Sequence, residues 1–117
     1  MSHNKYIYFA CILFLILISN YVFAGNVYVA KYESQADLKV YVSKYESQSD
    51  LVVYLAKYES QANNKDQIWY YVKYESQADI KIYFVKYESQ ADLKIYFTEY
   101  ESQAKWRNSN KYRGRLQ

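Results

Sequence analysis

The pentapeptide Lys-Tyr-Glu-Ser-Gln begins at Lys31 and returns at Lys44, Lys57, Lys73 and Lys86, and as EYESQ at Glu99. The copies are spaced by 13, 13, 16, 13 and 13 residues. A unit this short cannot bury an apolar face alone, so the units must share one core. "NVYVA" before the first copy and "KWRNSNKYRGRLQ" after the last are partial units, which brings the expected number of structural units to about seven. The longer step, "QANNKDQIWYYV", carries a three-residue insertion around Asn63 and Asn64.

Each unit reads as one strand and one turn. Leu38, Val40 and Val42 alternate with Lys39, Tyr41 and Ser43. A period of two means a strand with one buried face. Reading the other units in the same way places Leu51, Val53 and Leu55; Ile68, Tyr70 and Val72; Ile80, Ile82 and Phe84; and Leu93, Ile95 and Phe97 on that face. Trp106 stands where the next Leu is expected. The opposite face carries Tyr41, Tyr45 and their counterparts, which can cover apolar neighbours while keeping a wet hydroxyl. "SQAD" interrupts the alternation, and its Ser and Asp can start a turn by bonding nearby backbone. The repeats lack the glycines of tight hairpins, so an open corner of about three to four residues is expected.

Energetics favour closing the array. Three buried apolar side chains supply roughly 1.5–3 kcal/mol each. Ordering the unit's backbone costs about 1–2 kcal/mol per residue. One strand cannot offset its own ordering, and a flat sheet would leave adhesive edges. The sequence therefore predicts an all-β, compact, closed array of about seven short strands.

The first 24 residues read as a separate element: a polar basic start, the apolar run "YIYFACILFLILIS", then "YVFA" with small residues at Val22 and Ala24. This is the order of a secretory signal peptide, with cleavage expected after Ala24 and a secreted or periplasmic destination. Retention as a membrane anchor is the alternative. The domain is expected over 25–107, followed by a basic end over 108–117. Removal of the leader takes away the only Cys, His and Met. No thiolate or imidazole metal site can then form, and no cofactor is expected. From Gly25 to Ala104 nine Lys face twelve Asp and Glu, whereas the remainder has five basic residues and no acid.

Catalysis is not expected. Glu33 and Ser34 resemble a base and nucleophile, but adjacent strand residues point to opposite faces. Two candidate binding surfaces remain. The first is the repeated set Tyr32, Glu33, Gln35, Tyr45, Glu46, Gln48, Tyr58, Glu59, Gln61, Tyr74, Glu75, Gln77, Tyr87, Glu88 and Gln90. These types stack on sugar rings and bond hydroxyls, and repetition allows multivalent glycan binding. The competing reading gives them structural jobs: Tyr at the core edge, Lys–Glu pairs, and Ser and Gln on corner backbone. The second is Lys105, Arg107, Lys111, Arg113 and Arg115, a contact for an envelope glycan or other polyanion. Its competitor is a solvated tail with Trp106 as the last packed residue. A secreted fibre is a third class, opposed by the like charges that in-register stacking would align. A monomer is expected, with no nucleic-acid partner and no membrane contact once the leader is gone.

"KYESQADLKVYVSKYESQSDLVVYLAKYESQ", with "SQAKW" near the C-terminus, resembles the septoil-knot domain family. The resemblance covers the chain beyond the leader. It implies a knotted all-β domain that winds twice around an axis, with ring neighbours three or four repeats apart. It implies no catalytic or binding residues. Chain order alone favours a meander, in which successive repeats pair.

Overall fold

The computed structural model describes residues 25–62 and 65–116. The leader expected over 1–24 lies outside the described residues, as do Asn63 and Asn64 of the insertion. Seven strands follow in order: β1 (Asn26–Val29), β2 (Leu38–Val42), β3 (Leu51–Leu55), β4 (Ile68–Tyr71), β5 (Ile80–Phe84), β6 (Leu93–Thr98) and β7 (Lys105–Trp106). Each repeat places a 3-10 turn before the next strand, and it falls on Glu-Ser-Gln. In the first copy Gln35 N–H donates to Tyr32 O at 3.1 Å and Ala36 N–H to Glu33 O at 3.1 Å. The turn is therefore a closed helical one, earlier than the open Ser-Gln-Ala-Asp corner the sequence predicts.

The strand order is β4-β1-β5-β2-β6-β3-β7, with β3 also pairing β4. Six parallel strands thus form a closed barrel, and β7 lies outside it against β3. Except for β3 with β4, ring neighbours come from distant repeats, as in β1 with β4 and β5, and not from the meander that chain order favours. The chain advances two places around the ring with each repeat except from β3 to β4, which are neighbours, and that single step starts the second lap. β3 holds the seam. Its Leu51 and Val52 face Trp106 and Lys105 of antiparallel β7, while Tyr54 and Leu55 face Ile68 and Trp69 of β4.

The registers make such short connections sufficient. Val29 and Leu38 lie on opposite sides of the same residue, Ile82. The end of β1 is therefore level with the start of β2, one strand apart. Following paired residues round the barrel from Val27 returns to Val27 after an offset of twelve residues for six strands. That is twice the stagger per strand of an eight-stranded barrel of shear 8. With ordinary strand spacings it tilts the strands by roughly 55°. A parallel crossover usually needs a dozen or more residues to travel back along its strand. Here the connector only hops over one neighbour, and five of the six turns pack on the strand they cross, as Glu33–Gln35 does on β5; the turn between the adjacent β3 and β4 packs on β4.

The repeated Asp fastens these crossings. Asp92 N–H donates to Lys39 O at 2.8 Å, and Lys39 N–H donates back to Asp92 Oδ2 at 2.8 Å. Asp37 does the same with Lys81, Asp50 with Lys94 and Asp79 with Asn26. The carboxylate bonds backbone 44 or 53 residues away, so its role is a clamp between laps rather than a local turn bond. Asp92→Ala should cost about 1–2 kcal/mol, the worth of a charge-assisted bond at an exposed site, read by chemical denaturation.

The core comprises Val27, Leu38, Val40, Leu51, Val53, Trp69, Ile82, Leu93, Ile95 and Leu116. Leu55, Ile80, Phe84, Phe97 and Trp106 pack against it partly buried. Three expectations need correction. Val42 is 42 % exposed, because it ends β2 at the barrel rim. On β4 the inward residues are Trp69 and Tyr71, level with Leu55 and Val27, not Ile68, Tyr70 and Val72. Ile68 is buried, but on the outer side of its strand. Trp69 meets Phe97 edge-on with centroids 6.3 Å apart. The third concerns the C-terminal end, read as a loose tail. Leu116 is fully buried in the core, and its N–H donates to Asp66 Oδ1 at 3.1 Å. The Asp66 carboxylate also accepts from Gly114 N–H and from Trp106 Nε1. A buried acid just after the insertion therefore latches the chain end over the seam between β4 and β7.

Candidate ligand-binding surface

The exterior repeats with the fold. Tyr28, Tyr41, Tyr54, Tyr70, Tyr83 and Tyr96 lie half-buried on the outer face of the strands. The connector tyrosines Tyr32, Tyr45, Tyr58, Tyr74, Tyr87 and Tyr100 are 56–68 % exposed. They do not seal the core edge. In four copies the preceding Lys ammonium lies over the ring, at 5.6 Å for Lys31, Lys73 and Lys86 and 5.7 Å for Lys44. Tyr100 belongs to this set although Glu99 replaces the Lys and the pentapeptide is imperfect there.

The other pentapeptide side chains divide into committed and uncommitted groups. Glu33, Glu75 and Glu88 pair with Lys39, Lys81 and Lys94 at 3.3–3.7 Å. Glu46 has no such partner, because Val52 stands at the equivalent place. Gln61 Oε1 accepts from the N–H groups of Lys57 and Tyr58. The Gln35, Gln48, Gln77 and Gln90 side chains, and the pentapeptide Ser hydroxyls, have no hydrogen bond among the described residues. These exposed donors and acceptors are left to water or to a ligand. Backbone bonds hold every turn, with side-chain help from Gln61 in the third and from Ser49 Oγ, which donates to Glu46 O, in the second.

One sector breaks the pattern. A cavity of about 850 Å³ opens where β1 meets β4, lined among others by Asn26, Glu59, Tyr71, Tyr74 and Asp79. Asn26 occupies the place of Lys39, Lys81 and Lys94 in other repeats. Its Nδ2 donates to Glu59 Oε1 at 2.9 Å, and its buried Oδ1 has no partner. Burial pushes the Asp79 carboxyl above the usual carboxylate range; the Asn26 N–H partly offsets this, and the Glu59 charge adds to it.

The family model described as "7(1) septoil knot domain" matches residues 24–107. The chain belongs to the septoil knot domain family. No curated protein and no solved structure matches it. The septoil knot match ends before the latch, so Leu116 and the residues around it extend beyond the matched span.

The basic residues predicted to meet a polyanion lie on this extension and on β7. Lys105, Arg107, Lys111, Arg113 and Arg115 are all exposed. Arg107 also ties back through its N–H to Asp50 O at 2.8 Å. The buried Leu116 anchors the strip, which therefore presents its cations from a fixed backbone. Among the described residues no group of three or more His, Cys, Asp or Glu is placed to hold a metal ion.

Tyr71 gives the septoil knot an alkaline signature. Burial pushes its phenol up from 10.0 to about 12. The folded state holds this proton more tightly than the unfolded chain, so stability is fully present below pH 10 and falls as pH rises towards about 12. Denaturation midpoints measured across that interval should fall less steeply in Tyr71→Phe.

Proposed function

We propose that this chain is an exported, non-catalytic binding module whose connector array recognises glycan. The observation that carries this reading is the equivalent exposure of six tyrosines, each beside an uncommitted Ser and four of them beside an uncommitted Gln. Exposed aromatic faces stack on sugar rings, and amide and hydroxyl groups beside them complement sugar hydroxyls. A rigid ring holding several weak sites gains avidity on a repeating polymer. The absence of Cys and His from Gly25 onward supports the non-catalytic part, and the leader sequence supports export.

The test is a glycan array followed by titration of any polymer retained. The triple variant Tyr32→Ala, Tyr45→Ala and Tyr87→Ala should lose at least about tenfold in apparent affinity, since avidity multiplies the loss per site. Its melting temperature should stay near that of the parent, because these rings lie outside the core. No retained glycan, or equal affinity in the triple variant, would defeat the proposal.

A second reading, polyanion binding through Lys105, Arg107, Lys111, Arg113 and Arg115, is favoured by their joint exposure on an anchored segment. Affinity for a sulfated polysaccharide would then fall steeply with salt. A fibre built by strand addition is disfavoured, because β1 to β6 have partners on both sides.

A further inference from the structure

We propose that the cavity between β1 and β4 binds a small ligand carrying a primary ammonium group, held by Asn26, Glu59 and Asp79. The fold supplies its own comparison. Lys39, Lys81 and Lys94 each give backbone to a clamping Asp and an ammonium to a pentapeptide Glu. At the fourth clamp Asn26 stands in place of the Lys; Asp79 holds its backbone as in the other clamps, and its side chain meets Glu59, which comes from another repeat. Glu59 lacks a Lys partner in its own repeat too, because Ile68 occupies that place. This sector therefore brings together two carboxylates with no ammonium ion-paired to either among the described residues.

The acceptors left over fit one kind of cation. Asn26 Nδ2 occupies Glu59 Oε1, and Asn26 N–H occupies Asp79 Oδ2. Each carboxylate keeps a second oxygen without a partner among the described residues. Asn26 is only 3 % exposed, lines the cavity, and its Oδ1 is a buried acceptor without a donor. These three acceptors equal in number the three N–H donors of a primary ammonium, which would reach the enclosed Asn26 Oδ1 by a rotation of that side chain. A quaternary ammonium has no donor and leaves all three unsatisfied. Lys73, the cation on the cavity wall, lies over Tyr74 and pairs with neither acid. Tyr71 and Tyr74 supply apolar wall for the body of the ligand, and the volume suits a small molecule.

This site shares Glu59 and Tyr74 with the connector surface, but the glycan variants above, at Tyr32, Tyr45 and Tyr87, leave it intact. The experiment is calorimetric titration of the full domain with 1,5-diaminopentane and with glucosamine, the two sources of such a group. N-acetylglucosamine, 1,5-pentanediol and tetramethylammonium are the controls. Binding by either amine, at least about tenfold tighter than by its control, is expected, because a charged hydrogen-bonded contact is removed in each control. Which amine binds tighter identifies the source. Asp79→Asn keeps an oxygen for the Asn26 N–H and should weaken amine binding about tenfold or more while the fold persists. Asn26→Lys restores the repeat's own cation, and should abolish amine binding and raise the melting temperature. Amines that bind no better than their controls, or equally well to Asp79→Asn, would overturn the proposal. Should Asn26→Lys fail to fold, the Asp79→Asn comparison decides alone.

Discussion

Ile82→Asp should leave the chain unfolded at neutral pH. Ile82 is wholly shielded in the middle of β5, flanked by Val29 of the first lap on one side and Leu38 on the other. An aspartate there loses roughly 2–3 kcal/mol of apolar burial. It also places a carboxylate in the core, adding several kcal/mol whether the group stays charged or takes up a proton. Small domains possess about 5–15 kcal/mol in total. Because Ile82 joins two successive passes of the chain, the loss cannot be confined to one repeat. Circular dichroism and amide dispersion should both collapse, while Ile82→Val should cost about 1 kcal/mol and keep the fold. A cooperative transition in Ile82→Asp at the parent's midpoint would refute the shared core.

The second large effect is expected at Asp66. Its carboxylate accepts from Trp106 Nε1 and from the backbone of Gly114 and Leu116, and its backbone O accepts Trp69 Nε1 at 2.7 Å. Asp66→Ala keeps the last bond and removes the others. Hydrogen bonds to a charged group are worth about 1.5–3 kcal/mol each, and the Leu116 N–H is left buried. A loss of about 3–4 kcal/mol is expected after allowance for the donors that regain water. Leu116→Ala tests the same latch from its other end and should cost about 2–3 kcal/mol. If Asp66→Ala melts like the parent, the segment after Trp106 does not close the seam.

Much of the barrel can be read from the chain, because alternation survives wherever a strand's neighbours repeat it. Leu38, Val40, Leu51, Val53, Ile82, Leu93 and Ile95 are placed correctly by period alone. The error on β4 has a plain cause. Taking the first apolar residue after the insertion as the counterpart of Leu38 selects Ile68, whereas counting back from Lys73, as Val40 is counted from Lys44, selects Trp69 and Tyr71. The turn and the following strand move together, so the downstream pentapeptide is the better ruler. Leu116 carried no usable signal: one apolar residue among arginines has no period. The Asn26 cavity was equally hidden. Replacement of one Lys by Asn becomes meaningful only once Asp79 and Glu59 arrive from 53 and 33 residues away. The pairing of laps came from family resemblance, since local sequence physics does not distinguish a meander from this winding.

Parity explains why the stride breaks once. Six stations and an unbroken stride of two would bring the chain, after β3, back to the station that β1 already holds. The single-place step from β3 to β4 moves the second lap onto the stations left empty by the first, so β4, β5 and β6 interleave with β1, β2 and β3. The connector that takes this step also carries the three-residue insertion, so the odd spacing in the chain and the odd step in the ring are one feature.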